Sequence, residues 1–451
     1  MKQHIFLVLL FIFLHAKSYQ QTLPVPSARQ LQWQQLETTA FLHFTVNTFT
    51  DKEWGEGTES PAIFNPTKLD ARQWVKALKD AGFKIAIITA KHHDGFCLWP
   101  SKFTDHSVKN SPWKNGKGDV VREVADACKE YGIKFGFYLS PWDRHEATYG
   151  TPAYNDHYKS QLRELLTNYG EVAEVWFDGA KGANAKSMVY DFKGFWELVR
   201  SLQPKAVLFS DVGPDVRWVG NEGGNAGETC WSTLDTMGLA PGAADPKYLN
   251  RGDPNGRLWI PAETDVSIRP GWFWHENENN KVRSPQNLVN LYYQSVGRNS
   301  LLLLNIPPNK EGLLEAADIK AIKDFRTILN ETFKTNLAKN HTNSKLTDKS
   351  LQTFLTLKVN EPLVIDFKQT VTFDRASLQE NIATGQRVEE GSLEYWNDNK
   401  WSTISTFTTV GYNRLLKFKP VTTSKIRVNI SKAKSAVQLA EIGVYKASKQ
   451  E

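Results

Sequence analysis

Short, uninterrupted apolar runs alternate with amphipathic stretches through the first two thirds of the chain. After Asp70, apolar residues recur at helical spacing, and the β-rich run KIAIITA follows Gly82. Asp is a favoured N-cap and Gly a favoured residue just beyond a helix end, so this stretch predicts a helix followed by a strand. The unit recurs from Asp119 through KFGFYLS, and again in the segments that end in EVWFDG and KAVLFSDVG.

This alternation predicts a parallel β-sheet that is covered by helices on both faces. Three further runs, AFLHFTV before the first unit and LWIPAETDVSI and SLLLLNIPPN after the fourth, indicate about seven or eight strands in total. A doubly wound open sheet is the alternative, but the first helix-forming turn carries no G-x-G-x-x-G motif of the nucleotide-binding kind. We therefore expect an α/β catalytic domain with a (β/α)8-like barrel over residues 19–335.

The pattern changes after about residue 336. The segment TNLAKNHTNSKLTDKS is polar and linker-like, and the segments beyond it alternate apolar and polar residues over short distances. Turn signals separate these segments and no long helix is indicated, which is typical of a β-sandwich. We predict a C-terminal β-sandwich domain over residues 336–451.

The N-terminus MKQHIFLVLLFIFLHAKS has the layout of a secretory signal. A Lys is followed by an apolar run that is too short for a membrane span, and then by small residues near the predicted cleavage point. We expect residues 1–18 to be a signal peptide and the mature protein to be exported, to the periplasm or the extracellular space. No later segment approaches the ~18 continuous apolar residues of a membrane helix, so no membrane association is expected.

The composition indicates which kinds of ligand the protein can be expected to bind. The formal net charge is +6, but basic and acidic residues are interspersed, and no Lys/Arg block indicates a nucleic-acid surface. The three cysteines, Cys97, Cys128 and Cys230, show neither a disulfide framework nor metal-ligand spacing, so we expect them to be small buried residues. The 15 tryptophans are many, and because aromatic planes stack on the C–H faces of sugars they hint at a carbohydrate ligand.

Polar residues gather where the predicted strands end. In a parallel α/β barrel the carboxyl ends of the strands form one rim, and the chemistry is found there. The polar residues at these ends are His43, His92, His93, Asp94, Tyr138, Asp178 and Asp211. Asp178 ends the apolar run EVWF on the same side of the chain as Trp176, and burial of an isolated charge is very costly. Asp178 is therefore predicted to point into a functional pocket.

Other interpretations of these residues stay open at this point. Adjacent histidines often have structural roles, and His92, His93 and Asp94 are also candidate metal ligands. Against a metal, barrel metallohydrolases usually place His-x-His on one strand face, whereas adjacent residues of a strand point to opposite sides. Trp176 alone is better explained as a core residue than as a stacking surface. We expect neither a metal nor an organic cofactor.

Six motifs, in order, resemble glycoside hydrolase family 29, the α-L-fucosidases. They are FLHFTVNTFTDKEWG, HHDGFCLW, GFYLSPWD, WFDG, NSLLLLNIPPNKEG and FDRASLQENIATGQRVEE, and the resemblance covers about residues 30–447. A single short match such as WFDG is weak, whereas six in order are specific. The resemblance implies a (β/α)8-like catalytic domain followed by a β-sandwich, which agrees with the pattern described above.

The resemblance also implies roles for individual residues. Asp178 of WFDG matches the nucleophile of a retaining mechanism, in which a second carboxyl group donates a proton to the leaving group. The substrate-binding residues that it implies are His43, Glu53, Trp54, His92, His93, Tyr138, Trp176, Arg217 and Trp274. The expected partner is a fucosylated oligosaccharide or the glycan of a glycoconjugate.

The second carboxylate has several candidates. Asp211, Asp215, Glu222, Glu228 and Glu263 all follow the nucleophile motif along the chain. RWVGNEGG resembles the subgroup that is selective for α-1,3 and α-1,4 linkages, which implies Glu222 as acid/base, and its glycine-rich loop can reach over a leaving group. We therefore expect an exo-acting retaining α-L-fucosidase with this preference. The alternatives are a barrel glycosidase for another sugar and a non-catalytic glycan-binding protein.

Overall fold

The computed structural model describes residues 23–451, so the predicted signal peptide lies outside the described residues. The first domain is built on eight parallel strands. They are Thr38–Leu42 (β1), Ile85–Lys91 (β2), Lys134–Leu139 (β3), Glu174–Trp176 (β4), Val207–Phe209 (β5), Arg217–Trp218 (β6), Ala262–Ser267 (β7) and Ser300–Asn305 (β8). They pair in the order β5-β4-β3-β2-β1-β8-β7-β6. An isolated parallel bridge between Phe209 and Val216 joins the two ends of this sheet, so the barrel is nearly closed.

Helices pack around this barrel. Their bounds are Ala28–Gln34 (α1), Val46–Thr50 (α2), Ala71–Asp80 (α3), Val120–Tyr131 (α4), Ala153–Asn168 (α5), Phe192–Leu202 (α6), Pro246–Arg251 (α7), Pro285–Gln294 (α8) and Ala316–Thr332 (α9). The predicted α/β fold with a (β/α)8-like barrel is confirmed. It is irregular between β5 and β7, where residues 210–216 pass to β6 without a helix and α7 is short. A small hairpin of Thr233–Leu234 with Leu258–Trp259 also lies in this region.

The helix ends follow the local signals in the sequence. The Asp70 side chain accepts hydrogen bonds from the backbone N–H groups of the first turn of α3, and Asp119 does the same for α4. These bonds satisfy donors that a helix start otherwise leaves free. Gly132 ends α4 in the left-handed conformation at φ 68°, which costs glycine little because it has no Cβ.

Alternation along the strands divides the barrel core into two layers. The outward side chains, such as Val175 and Phe177 on either side of Trp176, pack under the helices. The inward side chains fill the barrel and include Phe41, Tyr138 and Trp176. Because alternate residues of a strand share one face, Glu174, Trp176 and Asp178 all lie on the inner face of β4 and its extension. They follow one another towards the carboxyl end of the barrel.

The C-terminal domain is a six-stranded antiparallel sheet that encloses its own apolar core. Its strands are Leu355–Leu357 (β9), Leu363–Glu380 (β10), Val388–Asn397 (β11), Lys400–Phe407 (β12), Arg414–Ala433 (β13) and Val437–Tyr445 (β14). They pair in the order β9-β14-β10-β13-β11-β12. Register shifts interrupt the pairing of the long strands β10 and β13, and such bulges bend a sheet over its core.

Several contacts connect the domains, and two of them bear on the linker and on the segment after β6. The segment predicted to be a polar linker packs on β14, because Asn336 bonds to Ile442 and Val444, and Ala338 belongs to the C-terminal core. At a second contact, Gln386 of the C-terminal domain accepts a hydrogen bond from Ser232 N–H and donates to the Cys230 carbonyl. The C-terminal domain therefore braces the segment that follows β6.

The three cysteines are buried and free, as expected. Within residues 23–451, every helix falls short of the length and apolarity needed to cross a membrane.

Candidate active site

A cavity of about 460 Å³ opens at the carboxyl ends of the barrel strands. Most of the polar residues predicted at the strand ends line it, together with aromatic walls. The residues of the sequence-based prediction that line this pocket are His43, Trp54, His92, His93, Tyr138, Trp176, Asp178, Asp211 and Glu222. A pocket with converging polar groups and aromatic walls is the arrangement that binds a small polar ligand such as a sugar.

Asp178 lies directly beyond β4, and its carboxylate is held in a fixed orientation. Tyr138 OH donates to Oδ2 at 2.9 Å and the Ala180 N–H donates to Oδ1 at 2.7 Å. Burial raises the pKa of Asp178, while these two hydrogen bonds favour the ionised form and lower it. The side chain remains 19% exposed, on the side of the pocket. The carboxylate is thus oriented, partly desolvated and accessible, as a nucleophile must be.

Three histidines form one side of the pocket. His43 Nδ1 lies 2.9 Å from Asn305 Oδ1, and His93 Nδ1 lies 2.7 Å from Ser140 Oγ. Burial lowers the pKa of His43 and of His93 to about 3, and it also lowers the pKa of His92 well below its usual range. The rings are therefore neutral near pH 7, and each can donate or accept a hydrogen bond without adding charge to the pocket.

Glu222 lies at the mouth of the pocket, on the loop after β6. Its Oε2 accepts a hydrogen bond from the indole N–H of Trp272 at 3.1 Å. Desolvation by the pocket walls raises the pKa of Glu222, the bond from Trp272 lowers it, and the negative charge of Asp178 raises it further. The residue remains exposed on its outer side, so we expect a modest net shift. A carboxyl group that keeps its proton to higher pH is suited to act as a general acid.

Asp211 follows β5 and lies close to the nucleophile. Its Oδ2 accepts a hydrogen bond from the Gly242 N–H at 2.7 Å. Burial and the charge of Asp178 raise the pKa of Asp211 to about 6. Of the five carboxyl groups considered as acid/base, Asp211 and Glu222 line the pocket.

The other three candidates lie elsewhere. Asp215 is paired with Arg29 and Arg200. The Glu228 side chain is 83% exposed, and its nearest cation is Arg298. Glu263 is completely buried inside the barrel, where Oε1 accepts the indole N–H of Trp176 at 2.8 Å. None of the three is therefore placed to protonate a leaving group.

Glu263 belongs to a buried pair of acids below the pocket. Its partner is Glu174, whose Oε2 accepts the indole N–H of Trp33 at 3.0 Å. Burial raises the pKa of Glu174 to about 7, and burial together with the charge of Glu174 raises that of Glu263 well above its usual range. At least one of these acids is therefore protonated near neutral pH, which avoids two adjacent buried charges.

Arg217 corrects one expectation from the sequence. Although it lies in the RW motif, its side chain points away from the pocket and is completely buried. The guanidinium donates to the backbone carbonyls of Leu249 and Trp231 at 2.8 Å each, and also to the Ile260 carbonyl. Because neighbouring strand residues face opposite sides, Trp218 rather than Arg217 reaches the pocket. Arg217 therefore fastens the irregular region after β6, and we no longer expect it to contact the sugar.

Glu53 and Trp274 also lie outside the pocket lining. The Glu53 carboxylate accepts the Trp272 N–H at 2.8 Å and lies 2.6 Å from His275 Nε2, so it holds the loop that follows β7. Trp274 is 6% exposed and packs with Lys310 over its ring. Neither residue lines the cavity, and direct sugar contacts of Glu53 and Trp274 stay a prediction. Glu53 acts on the pocket through Trp272, and Trp274 acts as a core residue of this loop.

Several pocket residues were not among the residues predicted from the sequence. Those with large side chains are Phe41, Lys181, Trp218, Asp265 and Trp272. Asp265 is buried on the inner face of β7 and accepts the indole N–H of Trp218 at 2.8 Å. Its position in ETDVS, two residues after Glu263 on an otherwise buried strand, is a signal of the same kind as the one that identified Asp178.

The open question of a metal site concerns His92, His93 and Asp94. Asp94 accepts hydrogen bonds from the Phe96 N–H at 2.7 Å and from the Thr45 hydroxyl at 3.2 Å, so it turns away from the two imidazoles. Over residues 23–451, the structure contains no group of three or more His, Cys, Asp or Glu side chains placed to hold a metal ion.

Comparison with known proteins agrees with this two-domain architecture. Residues 12–332 match the family model for alpha-L-fucosidase, and residues 330–442 match that for the F5/8 type C domain. Alpha-L-fucosidase 1 of Arabidopsis thaliana is 48% identical over 445 residues, which are 94% of this chain and 88% of that protein.

Solved structures give the same result. A glycoside hydrolase 29 family member from an unknown rumen bacterium is 44% identical, with a TM-score of 0.88, over 95% of this chain and 78% of that one. A Ruminococcus gnavus GH29 fucosidase in complex with fucose is 34% identical, with a TM-score of 0.86, over 94% and 95% of the two chains. The chain therefore belongs to the alpha-L-fucosidase family of glycoside hydrolases, family 29.

Proposed function

We propose that this fucosidase is an exo-acting retaining enzyme in which Asp178 is the nucleophile and Glu222 is the acid/base. The observation that supports this most strongly is that the two carboxyl groups line one pocket in different environments. Burial raises the pKa of both groups, but Asp178 accepts two hydrogen bonds that favour its ionised form, whereas Glu222 accepts one and its pKa is raised further by the charge of Asp178. An oriented carboxylate beside a second carboxyl group that keeps its proton to higher pH is the arrangement that a double displacement requires.

In the first step, a carboxylate oxygen of Asp178 attacks the anomeric carbon of the bound fucoside. The bond from that carbon to the glycosidic oxygen breaks, and Glu222 gives its proton to the departing oxygen. The products are a fucosyl ester on Asp178, an ionised Glu222 and the freed aglycone alcohol.

In the second step, a water molecule attacks the same carbon and transfers a proton to Glu222. The ester bond to Asp178 breaks, so fucose leaves and both carboxyl groups return to their starting states. Because each step inverts the anomeric carbon, the product keeps the configuration of the substrate.

The neutral histidines and Tyr138 supply hydrogen bonds for the sugar hydroxyls. With the pKa values of His43 and His93 lowered to about 3, these rings stay uncharged and do not neutralise Asp178. His93 Nε2 lies 3.7 Å from Asp178 Oδ2, a spacing that a sugar hydroxyl between them can use. The aromatic faces of Trp54, Trp176 and Trp272 complement the apolar side of the ring.

We further propose a preference for α-1,3 and α-1,4 linkages and a place outside the cytoplasm. The linkage preference rests on the RWVGNEGG segment and on the position of its glutamate at the pocket mouth, beside the site of the leaving group. Export rests on the signal-like N-terminus. The fucose complex of the Ruminococcus gnavus relative supports L-fucose as the sugar of the innermost site.

The Glu222→Ala variant tests the proposed acid/base role. It should lose far more activity on a Lewis-type trisaccharide than in the glycosylation step of 4-nitrophenyl fucoside, whose acidic leaving group needs little help from a proton. Added azide should restore turnover of the aryl substrate, since azide attacks without a base. Equal losses on both substrates without rescue by azide would reject Glu222. Rapid cleavage of 2′-fucosyllactose by the wild-type enzyme would reject the linkage preference alone.

A further inference from the structure

The segment 242–246, which enters α7, makes a backbone contact beside the nucleophile. A Cβ on Gly179 would lie 2.6 Å from the Gly242 nitrogen, and a Cβ on Gly242 would overlap the Gly179 carbonyl oxygen. The contact therefore requires glycine on both sides. Gly179 directly follows Asp178, so the loop that carries the nucleophile rests on this segment.

The other end of the same segment makes the same kind of contact beside Glu222. Gly220 has φ 85°, and a Cβ on it would lie 2.9 Å from Pro246 Cα and overlap the Pro246 carbonyl. Gly220 precedes Glu222 by two residues, on the loop that follows β6. One short segment thus lies against both loops that carry the catalytic carboxyl groups, through glycines at each end.

Asp211 holds the end of the segment 242–246 that lies beside the nucleophile. Its Oδ2 accepts the Gly242 N–H at 2.7 Å and also lies against Gly179. Apolar packing holds the segment from the opposite side, where Ala244 and Leu239 contact the cluster that contains Val212. The segment is therefore anchored between β5 and α7, and it lines the pocket with Gly242, Ala244 and Pro246.

We propose that residues 242–246 are a strut that sets the position of Glu222 relative to Asp178, with Gly242 and Asp211 as its positioning residues. This inference rests on the proposed roles of Asp178 and Glu222. A retaining glycosidase needs its two carboxyl groups about 5–5.5 Å apart, and a displacement of about 1 Å can cost about 100-fold in rate. Glu222 lies on a glycine-rich loop, so a backbone support of this kind adds to the orientation that the Trp272 hydrogen bond gives its carboxyl group.

A matched pair of alanine variants tests the strut. Gly238 and Gly242 lie in the same loop with nearly equal φ values of 75° and 76°, so alanine is equally strained at both. A Cβ on Gly238 meets nothing within 4 Å, whereas one on Gly242 meets the backbone beside the nucleophile. Gly242→Ala should therefore lower kcat on 4-nitrophenyl fucoside by at least about 10-fold relative to Gly238→Ala, with KM within about threefold. A cooperative thermal unfolding transition in each variant establishes that both fold.

Asp211 provides a second test with a conservative control. Asn at this position keeps a side-chain oxygen that can accept the Gly242 N–H, whereas Ala does not. Asp211→Asn should therefore retain at least about five times the kcat of Asp211→Ala, because the bond rather than the charge is what anchors the strut. Equal kcat values for these two variants, or for Gly242→Ala and Gly238→Ala, would overturn the proposal. The Glu222→Ala experiment tests the acid/base assignment separately, because equal losses on both substrates without rescue by azide would reject that assignment alone. The Gly242, Gly238 and Asp211 variants leave Asp178 and Glu222 intact, so they test only the strut.

Discussion

The indole N–H of Trp272 donates to Glu222 Oε2 at 3.1 Å, across the mouth of the pocket. The bond orients the carboxyl group and favours its ionised form, which opposes the effect of burial on its pKa. Hydrogen bonds from an indole N–H to a carboxyl group recur inside the barrel. Three further indole–carboxyl pairs in the barrel interior are Trp218–Asp265, Trp176–Glu263 and Trp33–Glu174. These indoles use their single donor to fix an acid, and several of the acids shape the catalytic pocket.

Removal of the Trp272 donor should change the pH profile. In Trp272→Phe the ionised form of Glu222 loses a hydrogen bond, so the pKa of Glu222 rises and its proton is kept to higher pH. The alkaline limb of kcat/KM should move upward by about one pH unit, and kcat should fall because the carboxyl group is less well oriented. A profile whose alkaline limb coincides with that of the wild-type enzyme would show that this bond does not act on the acid.

Tyr138→Phe tests the corresponding bond at the nucleophile. Its loss removes a donor from Asp178 Oδ2, so the pKa of Asp178 rises and the residue is protonated at a higher pH. The acid limb of kcat/KM should therefore move upward by about one pH unit. Tyr158→Phe is the matched control, since its buried hydroxyl donates to the Leu139 carbonyl outside the pocket. If both variants have the same acid limb, Tyr138 does not tune Asp178.

Arg217→Met should impair stability rather than substrate binding. The substitution leaves the buried carbonyls of Leu249, Trp231 and Ile260 without their donor, which should cost at least about 3 kcal/mol. Urea unfolding measures this loss, and KM of the remaining folded enzyme should stay within about twofold of the wild-type value. The exposed ion pair of Arg257 with Asp235 is the control, and Arg257→Met should leave the free energy of unfolding nearly unchanged. A large rise in KM with an unchanged free energy of unfolding would instead indicate that Arg217 contacts the sugar.

Glu174→Gln should change how stability depends on pH. Because the pKa of Glu174 is raised to about 7 in the folded protein, the folded state holds a proton that the unfolded state releases above about pH 4.5. The wild-type protein therefore loses stability between pH 5 and 8 relative to the variant, by as much as about 3 kcal/mol. Thermal unfolding of both proteins at pH 5 and pH 8 measures the difference. The exposed Glu197→Gln variant should show no such trend, and a constant gap for Glu174→Gln would contradict the buried-acid account.

Much of the fold was predictable because the sequence carries its own local signals. Asp70 and Asp119 begin helices where the N-cap preference places them, and the apolar strand runs match the observed strands within a few residues. The connection from β5 to β7 was harder. Its strands are two residues long and its helix α7 spans six, so they leave no periodic pattern. The contacts of residues distant in the chain, such as Arg217 with Leu249, determine its shape.

Strand-end residues of the site were predictable for the same reason. Asp178 is a charged residue at the end of an apolar strand, and period two relates it to Trp176. The aromatic loop GWFWHEN carries no such constraint. Trp272 and Trp274 are equally plausible from the sequence, and the backbone bonds of Glu53 to this loop direct Trp272 into the pocket and leave Trp274 in the core.

The proposed mechanism depends above all on a covalent bond between Asp178 and fucose. Incubation with a 2-deoxy-2-fluoro-fucosyl fluoride can trap this bond, because fluorine at C2 destabilises the oxocarbenium-like transition states while the fluoride leaving group favours the first step. We expect time-dependent inactivation, a mass increase of one fluorofucosyl group, and fragmentation that locates this group on the Asp178 carboxyl. Labelling of another carboxyl group such as Asp211, or turnover without any covalent adduct, would rule out Asp178 as the nucleophile.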